Sequence, residues 1–100
     1  PSYDAQIRKA AIRGDEVAVN HRVAAFMESY FDVLFALNRL THPGEKRLEK
    51  LASRNCAILP KDFEANLDTL FGTMFTDVDQ LSGTLQIIVD NLQRSVDTNL

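Results

Sequence analysis

Arg39, His42, Lys46 and Arg47 all fall in one stretch, LNRLTHPGEKRL, from Leu37 to Leu48. Two guanidinium groups, an ammonium and an imidazole flanking a Pro43-Gly44 turn are the side chains that hold a phosphate or a carboxylate. Arginine can do so through two parallel hydrogen bonds, lysine as a point charge. A helix starting just after the turn would add free backbone amides and the positive end of its dipole. The same residues also suit a plain helix boundary. Arg39 and His42 would then complement the negative end of the preceding helix, and Lys46 and Arg47 would be solvated. From the residues alone both readings stand.

Other chemistry-bearing residues form weaker patterns. Asp77-x-Asp79 has the look of a magnesium-binding carboxylate pair, but no strand precedes it, and residues two apart on a helix do not share a face. Helix capping and a favourable dipole interaction account for both acids. An EF-hand loop lacks its glycine and its terminal glutamate at the required offsets. His21 and Arg22 have no carboxylate or cysteine placed near them by spacing, and His42-Pro43 is too isolated to argue for a metal. Arg39 and His42, with only Leu40 and Thr41 between them, are too close for the Arg-His pair of a helical HEPN-type ribonuclease. The single cysteine, Cys56, has no histidine partner set by sequence and reads as a core residue. We assign no catalytic residue and no metal ligand.

Composition narrows the classes further. One hundred residues with 45% hydrophobic content suit one small domain over residues 1–100. A net charge of −3 and a pI near 5.2 disfavour general nucleic-acid binding, which draws its affinity from many Lys and Arg contacts to phosphate. One cysteine cannot close an intramolecular disulfide, and no Cys/His set has zinc-site spacing, so a cytoplasmic setting is expected. Apolar runs are short and interrupted by charge, so no membrane segment is expected. The chain begins at Pro1, and we expect it to be the C-terminal part of a longer protein.

The elements that must position the basic stretch are helical throughout, because apolar residues recur at helical spacing and no stretch alternates long enough for a strand. A first helix is predicted from Tyr3 to Arg13, with Ser2 as its N-cap and Gly14 as its stop. Asp15 caps a long second helix, Glu16 to Leu40, whose apolar face widens toward Phe31, Leu34 and Phe35 and makes it the central helix of the core. Pro43-Gly44 is expected to end it. A short third helix follows from Glu45 to Asn55, with Leu48, Leu51 and Ala52 inward. Cys56 to Pro60 should lie as an extended strap. A fourth helix opens near Pro60 and runs to Met74. The fifth, capped by Thr76 or Asp77, runs to Val96 with Leu81, Leu85, Ile88, Val89 and Leu92 in its stripe. Gly83 inside it suggests close packing or a functional reason. The aromatic set Phe26, Tyr30, Phe31, Phe35, Phe63, Phe71 and Phe75 is read as packing. The fold class is all-α, a compact five-helix, mostly antiparallel bundle.

The string YFDVLFALNRLTHPGEKRLEKLASRNCAILPKDFEANLDTLF, Tyr30 to Phe71, resembles the helical C-terminal domain of unknown function attached to bacterial nucleotidyltransferase domains. The carrying features are an apolar helix ending in Leu37-Asn38-Arg39 and a turn with Pro43 and Lys46. The later Leu59-Pro60 before Asp62-Phe63 completes them. His42 and Gly44 stand where that family has aromatic residues. The resemblance implies a substrate-binding or lid-like helical half of a two-domain protein, not catalytic by itself. Its partner would be an N-terminal nucleotidyltransferase-like domain carrying magnesium and a nucleoside triphosphate. Asn38, Arg39, His42 and Lys46 would then face the interdomain cleft.

The leading expectation is therefore an accessory domain of a nucleotidyltransferase-like protein, with Asn38, Arg39, His42, Lys46 and Arg47 as its substrate- or anion-binding residues. The alternative is a helical protein–protein interaction module, such as a homodimer. A cationic groove favours the first, and an exposed apolar patch of more than a few hundred Å² favours the second.

Overall fold

In the computed structural model, which describes residues 3–44 and 46–99 with the Asp4 side chain excepted, five helices follow one another in the chain. They are α1 (Tyr3–Ile12), α2 (Glu16–Leu37), α3 (Leu48–Asn55), α4 (Phe63–Thr73) and α5 (Val78–Asn99). No strand occurs among the described residues, so the all-α, compact five-helix bundle expected from apolar spacing is the architecture found. The Cα radius of gyration, 13.4 Å, matches the roughly 13 Å of a compact chain of this length. Among the described residues no helix is long and apolar enough to cross a membrane.

Local sequence sets the boundaries. At the α1–α2 junction, Gly14 takes φ +69°, its N–H donates to the Ala11 carbonyl, and the Asp15 N–H donates to Ala10. This closes α1 in a Schellman turn. Asp15 then opens α2 by accepting a 3.1 Å hydrogen bond from the Ala18 N–H at Oδ1. Asp77 does the same for α5, accepting from the Gln80 N–H at 2.9 Å. Ser2 as a cap lies outside the described residues, while α3, expected from Glu45, begins only at Leu48, with Lys46 and Arg47 in the turn before it.

The structure corrects the sequence reading at several places. Helix α2 stops at Leu37, not Leu40, and Pro43-Gly44 does not end it. The Arg39 N–H donates to Ala36 and the Leu40 N–H to Phe35, a second Schellman turn with Arg39 at φ +58° in the position glycine usually fills. Helix α4 begins at Phe63, after Pro60, and α5 continues to Asn99. Gly83 has nothing within 4 Å of where a Cβ would stand, so no close packing requires it.

The core runs along α2, which buries Val19, Val23, Phe26, Met27, Tyr30, Phe31, Leu34 and Phe35. Helix α1 packs on α2 and α5, and α4 packs on α5. Ile7, Leu34, Leu67, Leu70, Leu81 and Leu85 are sealed from solvent. Tyr30 stacks on Phe63 at 6.3 Å between ring centroids, and Phe31 meets the same ring edge-on at 6.2 Å, so α2 and the head of α4 are joined by aromatic contact. Cys56, on the extended strap between α3 and α4, is buried as expected, and burial pushes its thiol up, which keeps it protonated and unreactive. Phe71 and Phe75 depart from the packing role: each is about half exposed.

Candidate functional site

The connection from α2 to α3 is rigidly built at its start. Asn38 caps α2, and its side-chain amide joins the helix end to the strap. Its Nδ2 donates to the Leu34 carbonyl at 2.9 Å and to the Ile58 carbonyl at 2.8 Å, while Oδ1 accepts from the Ile58 N–H at 2.7 Å. The amide thereby satisfies both backbone groups of Ile58, much as a neighbouring strand would. Sequence reasoning placed Asn38 at the ligand; the structure places it beneath the turn as a clamp.

His42 is also engaged. Its Nδ1 accepts from the Gly44 N–H at 3.0 Å, its Nε2 lies 3.8 Å from Asp32 Oδ1, and its ring meets Phe35 edge-on at 5.6 Å. The accepting Nδ1 leaves a ring N–H on Nε2, which points toward the Asp32 carboxylate from beyond hydrogen-bond range. Gly44, at φ +96°, lets the chain fold back over the imidazole.

Arg39, Lys46 and Arg47 are different. All three are exposed, and none forms a salt bridge among the described residues. Arg39 and Arg47 both adopt φ +58°, in the left-handed region that costs a residue with a Cβ about 1–2 kcal/mol. Arg47 is also the N-cap of α3 and offers no side-chain cap, so among the described residues no side chain caps the first amides of that helix. The structure therefore places the five predicted residues on one connection but splits them by role. Two arginines and a lysine are presented outward, with Asn38 and His42 holding the scaffold.

A second feature went unread in the sequence. Between α2 and α4, closed at one end by α3, runs an open trough of about 770 Å³. Val23, Met27 and Phe31 of α2 form one wall, and Leu67 and Phe71 of α4, with Met74 just past its end, the other. Its volume is that of a ligand or peptide groove. The polar residues lining it are Asn20, Glu28, His42 and Glu49, and no lysine or arginine is among them. Glu49 has its carboxyl pKa raised, first by burial and then by the nearby Asp68 and Glu64 carboxylates. The available signal was the width of the α4 apolar arc, in which Phe71 adjoins Leu70 and cannot share its inward face. A smaller recess of about 220 Å³ lies between α2 and α5, with Tyr30, Val33, Val89 and Leu92 on its walls.

Among the described residues no group of three or more His, Cys, Asp or Glu side chains is placed to hold a metal ion. Asp79 instead lies 3.6 Å from Arg8, an exposed pair between α5 and α1, and His21 is exposed on α2. Comparison with known proteins found no matching family model, no matching curated protein and no matching solved structure.

Proposed function

We propose that this chain is an accessory, substrate-binding helical domain of a nucleotidyltransferase-like protein, not catalytic by itself. In this reading Arg39, Lys46 and Arg47 hold a phosphate of the acceptor or nucleotide. Magnesium and the nucleoside triphosphate belong to the N-terminal nucleotidyltransferase-like partner domain.

One observation carries the reading. Three cations without salt-bridge partners among the described residues are displayed on a connection whose base is fixed by the Asn38 clamp and the His42 contacts. Two of them, Arg39 and Arg47, occupy left-handed backbone where glycine would be less costly. Retaining arginine there at a cost in stability is what a recognition residue does, and an exposed arginine fork suits a phosphate. The family resemblance covers the same connection.

The test is a thermal-shift titration of the domain with ATP, GTP and inorganic phosphate, alongside the double variant Arg39→Ala/Lys46→Ala. A ligand that binds only the folded state raises the melting temperature, by about 2.7 kcal/mol of stability at a hundredfold excess over Kd. The reading requires a saturable rise with at least one ligand, lost in the double variant. No rise with any of the three would overturn it.

A further inference from the structure

We infer that the trough between α2 and α4 is the docking site for a basic amphipathic helix from another polypeptide. The wall on α2 extends from Asn20 to Phe31. At a rise of 1.5 Å per residue that is about 16 Å, or three helical turns of an occupant. A helix laid in such a trough presents anchors at helical spacing to its apolar walls. Phe71, 51% exposed on the α4 wall, is the apolar surface an occupant would cover first.

Charge selects the occupant. Glu28 and Glu49 flank the trough without any lysine or arginine in its lining, and Glu64 and Asp68 of α4 lie close enough to Glu49 to repel it. Carboxylates crowded beside an apolar groove destabilise the empty protein, and cationic flanks on a docked helix would relieve them. The raised pKa of Glu49 is consistent with this crowding. An anionic ligand would meet the same carboxylates and be repelled.

A second copy of the chain is a poor occupant. The exposed apolar residues Ile87 and Val89 lie on α5, whose charged residues are Asp79, Asp90, Asp97 and one arginine, Arg94. Docking that helix would set acid against acid. Helix α1, which does carry Arg8 and Lys9, has already buried Ile7 and Ala10 in the core. Neither helix offers a free cationic apolar stripe, so we assign the occupant to another polypeptide.

The experiment uses the whole chain and three synthetic peptides of about four turns. One has a leucine stripe with lysine flanks, one the same stripe with glutamate flanks, and one the lysine composition with the stripe scrambled. Fluorescence anisotropy should show saturable binding of the lysine peptide, at least about tenfold tighter than either control and weakened by added salt. Two variants, checked for helicity by circular dichroism, localise the site. Phe71→Ala should weaken the lysine peptide about tenfold, and Glu28→Lys/Glu49→Lys should reverse the preference between lysine and glutamate flanks. Absence of saturable binding by the lysine peptide would overturn the inference. So would equal binding of the scrambled peptide, which signals charge attraction alone, or affinity indifferent to both variants.

Discussion

Replacing Asn38 by alanine separates the two roles assigned to that residue. The amide makes three side-chain hydrogen bonds, of which the two to Ile58 tie the strap to the end of α2. Leu34 keeps a backbone partner, the Asn38 N–H at 3.2 Å, so its carbonyl loses little. The Ile58 N–H and carbonyl lose their partner in a half-buried setting. Leaving a buried polar group unpaired costs about 1–3 kcal/mol, and partial access to water puts each of these near the low end, for a total of about 2 kcal/mol. In a domain of this size each kcal/mol moves the melting temperature by about 4–8 °C, so a fall of about 8–16 °C is expected by circular dichroism or calorimetry. Asn38→Asp sharpens the test. It keeps an acceptor for the Ile58 N–H but sets a carboxylate oxygen against two carbonyls, which raises the folded-state pKa of the new acid. The folded protein then binds the proton more readily than the unfolded one, so the defect is greatest at neutral pH and shrinks as pH falls through the carboxyl range. A drop of under about 2 °C in Asn38→Ala, with loss of any anion response, would refute the clamp and return Asn38 to the ligand.

Gly72→Ala and Gly83→Ala should each raise stability by about 0.5–1 kcal/mol, read as an increased denaturant midpoint, because both glycines are helical and open space surrounds each Cβ position. A loss at position 83 would mean that something approaches the helix there. Arg39→Gly should raise the melting temperature by relieving left-handed backbone, worth about 1 kcal/mol, while weakening phosphate binding in the same titration. Glu49→Gln should stabilise the protein near neutral pH, because it removes the cost of burying that charge and its repulsion by Asp68 and Glu64. The sign follows from the raised pKa. The folded state holds the Glu49 proton to higher pH than the unfolded state, so wild-type stability declines as pH rises through that window, and the Gln variant should lose this component in melts from about pH 4 to about pH 7.

The helices were legible because their signals are local. Asp15 and Asp77 are capping acids at apolar-periodic starts, and Gly14 ends α1 in the left-handed turn its type favours. The end of α2 was not legible, because arginine replaces glycine at the left-handed position and the visible breaker, Pro43-Gly44, lies downstream. The basic connection could be found from residue types, but the division between presenting and supporting residues could not. It depends on the Ile58 backbone arriving beside Asn38 and on Asp32, ten positions earlier in the chain, standing beside His42. The trough was hidden for a similar reason. Phe71 has the composition of a core residue, and only the separation of α4 from α2 leaves it half exposed.

The central claim is that the exposed cations between α2 and α3 bind a phosphate-bearing ligand. A titration of isotope-labelled protein with ATP, followed by backbone amide shifts in NMR, tests it most directly. Saturable shifts concentrated on residues 39–48, absent in Arg39→Ala/Lys46→Ala, are the predicted result. Amides of that segment that stay unmoved, or shifts concentrated on the trough residues Met27, Glu49 and Phe71, would contradict it.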